Sequence, residues 1–345
     1  MAEVFDDTRL DDEAALASAD PHLRPLAEAG SRVRREAEAA ADALEAAVVE
    51  ADGEARPRAV VAAGPDSRLL RAVLEPWCPV PFVAWPGPGL PGWAGALDLV
   101  VVLAPDGSDT GAASAVAEAV RRGCRLVVAC DPASLVGQHA VGRDTTVLPT
   151  SAGDQLASAV VVLDLLAQLD LGPHASAEGV ASALDDVAVA CSPYRDLSVN
   201  PAKMLAIALA DGSPVVWGGS VLAARAARRI AESLRRASGR AALAGDAEHL
   251  LPVLRASRPR DLFADPFADD EDSAEARPVL LLLDDGSDEL PVREQRARLV
   301  TTAQEQDVRV ETIDAHEGDD VARYATLLST GTWAATYVKI GLGRA

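Results

Sequence analysis

From residue 58 onward, short and almost wholly apolar runs alternate with stretches whose apolar residues return every three or four positions. The runs "RAVVAAG" (58–64), "PFVAWPG" (81–87), "LDLVVVLA" (97–104), "CRLVVACD" (124–131) and "DTTVLPT" (144–150) predict strands. Between and after them, "SRLLRAVLEPW" (67–77), the stretch following Thr110 and "AGDQLASAVVVLDLLAQL" (152–169) predict helices. A loop with a short helix follows, and then the pattern restarts. Helices at 200–212, 221–239, 246–256, 291–306 and 320–343 are separated by apolar runs at 214–220, 240–245, 277–285 and 307–315. Strands that are apolar on both faces and alternate with helices belong to parallel sheets covered on both sides. Ahead of all this, residues 24–50 carry an Ala/Glu/Arg stretch with Leu26, Val33, Ala37, Leu44 and Val48 near helical spacing, which predicts one long helix.

The fold class that follows is α/β, built twice: two αβα sandwiches in tandem. The boundaries read as an N-terminal helical segment (1–52), a first domain (53–172), a linker with a helix (173–197) and a second domain (198–345). Residues 257–277 are acidic, unperiodic and Pro-containing, and read as a surface loop. With 345 residues, 49% of them hydrophobic, two cores are within reach. Aromatic residues are few, so Ala, Val and Leu must fill them.

Net charge is −21, which argues against nucleic-acid or anionic-membrane partners. The N-terminus lacks the basic start and apolar run of a signal peptide, and no segment has the roughly 20 apolar residues of a spanning helix. A cytoplasmic location is therefore expected. Cys78, Cys124, Cys130 and Cys191 form no CxxC pair and read as plain thiols. "HEGDD" (316–320) is contiguous and reads as a loop entering a helix, "DDGSDE" (284–289) as a cap for the next helix, and no metal or cofactor is expected. No phosphate-loop or dinucleotide fingerprint occurs.

Candidate chemistry sits in the turns. "AGPDS" (63–67) and "APDGSDT" (104–110) each lead from a strand into a helix, where anions are favoured. Both also carry aspartates. Asp66 and Asp109 immediately precede helical residues, as N-caps do.

Two such domains with Gly/Ser turns resemble the SIS (sugar isomerase) fold, and more narrowly the bifunctional phosphoglucose/phosphomannose isomerase family in its actinobacterial branch. The resemblance spans roughly residues 55–340. "NPAKMLA" (200–206) resembles the family's Asn-x-Ala-Lys-x-Leu-Ala helix and places Lys203 in it. "SPVVWGGSVLAARAARR" (213–229) resembles its strand–turn–helix element, with Gly218, Gly219 and Ser220 in the turn and Arg228 at the family's arginine.

The resemblance implies two tandem SIS-type domains, a sugar-phosphate ligand and a homodimer with its site near the interface. The Ala-rich helix around 34–48 would pack between subunits. It implies phosphate contacts from Ser67, Gly107, Ser108 and Thr110, and aldose–ketose isomerisation between glucose 6-phosphate or mannose 6-phosphate and fructose 6-phosphate. That chemistry needs a carboxylate to carry a proton between C1 and C2, and a His or Lys to assist ring opening. By position these are Glu248, with His249 or Lys339.

The sequence departs from the family at these places. Pro65 and Asp66 replace glycines of Gly-x-Gly-Gly-Ser, and Asp106 and Asp109 intrude in Ser-x-Ser-Gly-x-Thr. Asp154 and Gln155 stand where the family carries an arginine, and the Asn-rich context of the base is gone around Glu248. The reading is a SIS protein that binds a sugar phosphate with weak or lost catalysis. The alternative is an active phosphoglucose/phosphomannose isomerase with Glu248 as base.

Overall fold

The computed structural model describes residues 4–257 and 277–345. They form two compact units, one continuous (Ala29–Ala183) and one discontinuous (Met1–Glu28 with Leu184–Ala345). The expected acidic loop at 257–277 lies outside the described residues except for its ends.

The continuous unit is built on strands β1 (Val60–Ala63), β2 (Phe82–Trp85), β3 (Leu99–Ala104), β4 (Arg125–Cys130) and β5 (Thr145–Pro149). All pair in parallel, in the order β2-β1-β3-β4-β5. Every residue of β1 and β3 is buried, as their apolar runs require. Helices α4 (Thr110–Arg121) and α5 (Leu135–His139) cover one face, where Val100, Val102, Leu126 and Val128 meet Ala112, Ala115, Val116 and Val136. On β3 and β4 lies α6 (Gln155–Gln168), which also packs against α2 (Ala29–Ala51). Helix α3 (Ser67–Leu74) packs on β1 and β2.

The discontinuous unit carries β6 (Ser213–Gly218), β7 (Leu243–Ala244), β8 (Pro278–Asp284) and β9 (Arg309–Asp314), again parallel, ordered β7-β6-β8-β9. Leu280, Leu282, Val215 and Trp217 form a core with α10 (Ala247–Arg255) and α11 (Leu290–Glu305). Helices α8 (Pro201–Ala210), α9 (Val221–Ser238) and α12 (Asp320–Gly341) make the third layer. Small residues let α12 approach closely: a Cβ on Gly331 would stand 2.4 Å from Ile230 of α9. Helix α7 (Ala177–Ala190) carries the chain from one unit into the other.

The single long helix expected at 24–50 is two helices, α1 (Glu13–Ala27) and α2, parted at Glu28. Pro21 and Pro25 lie inside α1, and each lacks the amide that a helix interior normally uses, which hid α1 from a pattern reading. Asp12 caps its start through the Ala15 amide. Helix α1 belongs to the discontinuous unit, where it packs on α12. Among the described residues no helix is long and apolar enough to cross a membrane.

Candidate functional site

Strand order locates the sites. In each sheet the chain runs outward on one side of its first strand and returns on the other. That leaves a crevice beyond the strand ends, between β1 and β3 in one sheet and between β6 and β8 in the other. Such switch points are where open α/β sheets bind ligands. The turns singled out in the sequence, 63–67 with 104–110 and 218–220 with 284–289, flank these two crevices.

At the first crevice, Gly64 takes φ +86°, and its carbonyl accepts from the Ser67 amide at 3.2 Å. The Ser67 side chain is 0% exposed and its hydroxyl has no hydrogen-bond partner. Gly107 takes φ +64°, and a Cβ there would lie 2.3 Å from that of Ser134. Its amide donates to Ala104 and its carbonyl accepts from Val136, both at 3.0 Å, so this glycine builds the turn. Ser108 and Thr110 are exposed beside it.

Two of the helix starts here, those of α4 and α6, are already occupied by carboxylates. Asp109 accepts from the Ala112 amide at 2.7 Å and caps α4. Asp154 accepts from the amides of Leu156 (2.9 Å) and Ala157 (3.1 Å) and caps α6. Asp66 makes no cap bond with α3; it accepts from Gln155 Nε2 at 2.5 Å.

A guanidinium does stand where the sequence offered none. Arg32 of α2 pairs with Asp154 at 2.9 Å. One turn on, Glu36 is 3% exposed and takes the backbone amides of Ser151 (2.9 Å) and Ala152 (2.6 Å). Thr150 next to them is buried with its hydroxyl unpartnered.

The second crevice is built differently. Gly218 and Gly219 are demanded by packing, because a Cβ would lie 2.3 Å from the Ala223 backbone or from Val292, respectively. Ser220 caps α9, its hydroxyl accepting from the Ala223 amide at 3.0 Å and donating to Asp285 across the crevice. Arg323 donates to the Asp285 carbonyl at 3.0 Å and pairs with Asp320.

Asp284 pairs with Arg296, accepts from the Gly286 amide at 3.0 Å and lies 3.5 Å from His316 Nε2. Burial alone pushes its carboxyl up, but Arg296, the Gly286 amide and His316 together hold it below the usual carboxylate range. So the "DDGSDE" aspartates bind the turn itself and the β6 loop. The cap of α11, Glu289, makes no side-chain cap bond. Asp284 and Asp285 read in the sequence as a helix cap and His316 as part of a loop, whereas Arg296 and Arg323 are not singled out at all.

The catalytic candidates are dispersed. Glu248 and His249 lie exposed on the first turn of α10, where Glu248 accepts from Arg298 Nη1 at 2.8 Å. Lys339, in the last turn of α12, has its Nζ 2.7 Å from Nε2 of His22 on α1. No hydrogen bond or ion pair among the described residues joins Lys339 to Glu248 or His249. Arg228 lies on the exposed side of α9. Lys203, by contrast, is fully buried: its Nζ donates to Asp11 (2.6 Å) and to the carbonyls of Pro193 (2.8 Å) and Arg195 (3.0 Å), and sits over the Tyr337 ring.

Residues 198–344 match the family described as the bacterial phospho-glucose isomerase C-terminal SIS domain. Three solved structures share the fold at low identity. A tagatose-6-phosphate ketose/aldose isomerase from Escherichia coli is 14% identical with a TM-score of 0.60, over 94% of this chain and 92% of the other. A Bacillus subtilis protein described as a phosphosugar isomerase is 15% identical with a TM-score of 0.60, over 90% and 95%. The C-terminal domain of glucosamine-fructose-6-phosphate aminotransferase from Francisella tularensis is 13% identical with a TM-score of 0.55, over 90% and 95%. No curated protein matches the chain in sequence.

Proposed function

We propose that the chain binds a sugar phosphate and isomerises it weakly or not at all, because residues 198–344 match the model of the bacterial phospho-glucose isomerase C-terminal SIS domain and the chain shares the fold of phosphosugar isomerases. The ligand class is hexose phosphate, as in the family. The buried, unpartnered Ser67 hydroxyl at the first crevice supports a ligand contact there. A homodimer belongs to the same reading, and light scattering that finds a monomer at micromolar concentration removes it.

The observation that carries the catalytic half is the state of Glu248. A base that moves a proton between sugar carbons must reach them, in a site closed to water. Glu248 has a side chain 69% exposed and already neutralised by Arg298. Its position favours the alternative in one respect: α10 begins just past the end of β7, so Glu248 stands at the edge of the sheet that carries the second crevice.

The assay incubates the protein with fructose 6-phosphate and follows glucose 6-phosphate and mannose 6-phosphate separately. Turnover far below the roughly 1–10³ s⁻¹ of ordinary enzymes is expected, with thermal stabilisation by the ligand through mass action. Turnover in that range that is lost in Glu248→Gln establishes the active isomerase instead.

A further inference from the structure

The structure brings together three donors that are far apart in sequence. Asp284 ends β8 and Asp314 ends β9, and the two are register partners in the parallel ladder. His316 follows two residues after Asp314. One ligand atom from each lies within 4.8 Å of the others, and no other group of three His, Cys, Asp or Glu side chains among the described residues comes together in this way. We propose that this cluster, at the strand ends beside the second crevice, is a binding site for a divalent transition-metal cation.

Four features support it. His316 Nε2 and Asp284 Oδ2 are 3.5 Å apart, close to the separation of two donors on a tetrahedral ion with bonds of about 2.0–2.1 Å. Asp284 is pre-oriented, since the Gly286 amide holds its Oδ1 at 3.0 Å and leaves Oδ2 toward the histidine. Gly286, at φ +74°, is bare where His316 lies: a Cβ there would be 3.3 Å from the ring. Finally, the charges do not balance. Arg296 answers Asp284 and Arg323 answers Asp320, but Asp314 makes no ion pair among the described residues.

The donor set is one imidazole nitrogen and two carboxylates. It suits Mn²⁺, Co²⁺ or Zn²⁺ over Mg²⁺ or Ca²⁺, which take oxygen alone. A bound ion would share Asp284 Oδ2 with Arg296 or displace it, and water would complete the coordination. The proposal goes beyond the sugar-phosphate reading and is independent of it.

The test uses the full chain after chelator dialysis and titrates it with MnCl₂ by calorimetry and electron paramagnetic resonance. One saturable site is expected, with nitrogen coupling from the histidine in the Mn²⁺ spectrum. His316→Ala removes that coupling, and both His316→Ala and Asp314→Asn weaken binding at least tenfold. These two residues are exposed, so both variants should fold, whereas Asp284→Asn would also disturb Arg296. His249→Ala, at another exposed histidine, leaves Mn²⁺ binding unchanged. Binding that is unaffected in both site variants reflects general cation uptake by an acidic chain and overturns the proposal. So does the lack of saturable binding below millimolar Mn²⁺.

Discussion

Each unit buries an ion against loop backbone, Glu36 in one and Lys203 in the other, and these two have opposite sign. In the continuous unit Glu36 fills the amides of Ser151 and Ala152, beyond β5. In the discontinuous unit Lys203 fills the carbonyls of Pro193 and Arg195 and the carboxylate of Asp11. A related contrast holds around the two crevices. The continuous unit spends carboxylates on its own donors: Asp109 and Asp154 sit on helix starts and Glu36 on a loop. What it leaves unsatisfied is neutral, the hydroxyls of Ser67 and Thr150. The discontinuous unit caps α9 with a neutral serine and keeps carboxylates at its strand ends, with Asp314 uncompensated among the described residues. The difference separates ligand classes. At the first crevice the starts of α4 and α6 are closed to a phosphate by their own carboxylates, and at the second Asp314 makes no ion pair among the described residues.

The sharpest break of this comparison is at the buried ions. Lys203→Met removes three hydrogen bonds of a fully buried ammonium, to Asp11 and to the carbonyls of Pro193 and Arg195, and should cost about 3–5 kcal/mol, at roughly 1.5–3 kcal/mol for each bond from the charged group to a carbonyl. Glu36→Gln keeps one acceptor for two amides and should cost less, about 1–3 kcal/mol. Tryptophans separate the readouts. Trp217 and Trp333 are buried in the discontinuous unit, whereas Trp77, Trp85 and Trp93 are exposed in the continuous one. A red shift of tryptophan emission on unfolding therefore follows the discontinuous unit, and hydrogen exchange at Ser151 and Ala152 follows the continuous one. A loss below about 1 kcal/mol in Lys203→Met would remove the lysine as an anchor.

A smaller effect tests the turns. Gly218→Ala drives a methyl group into the backbone of α9, and overpacking of this kind costs about 1–3 kcal/mol. Gly107→Ala meets the Ser134 side chain and also strains φ at +64°. Adding Ser134→Gly should recover the steric part of the second loss and leave the part due to φ. Full recovery would mean that the left-handed conformation costs nothing there. No recovery would mean that the contact with Ser134 is not what selects glycine.

Strands such as "LVVVLA" and "PVLLLLD" were legible because burial on both faces leaves an unbroken apolar run. Helix α1 was not, since Pro21 and Pro25 mimic a boundary that packing against α12 overrides. The cap at Asp109 followed from its place before α4, but the same logic failed at Asp66, whose carboxylate accepts instead from Gln155 at the start of α6. Arg32 and Glu36 were invisible as site residues because they reach the 151–154 loop from well over one hundred positions away. "HEGDD" shows the same limit: its partner Asp284 is set by the β8–β9 register, which no local pattern encodes.

The smallest expected effect decides which way a carboxylate faces. Asn caps a helix as well as Asp does, so Asp109→Asn should keep α4 and remove one negative charge beside Ser108 and Thr110. Turned toward a bound phosphate at about 4 Å, that charge would repel it by roughly 4 kcal/mol at an effective dielectric near 20, or about three decades of affinity. In the structure Asp109 is turned onto the Ala112 amide. The replacement should therefore tighten binding of fructose 6-phosphate or inorganic phosphate by less than tenfold, measured by calorimetry on both proteins. A gain of a hundredfold or more would mean that the carboxylate leaves its cap and enters the crevice when ligand arrives. Failure of either protein to bind any sugar phosphate would remove phosphate from this turn, and the unpartnered Ser67 hydroxyl would then call for a neutral ligand.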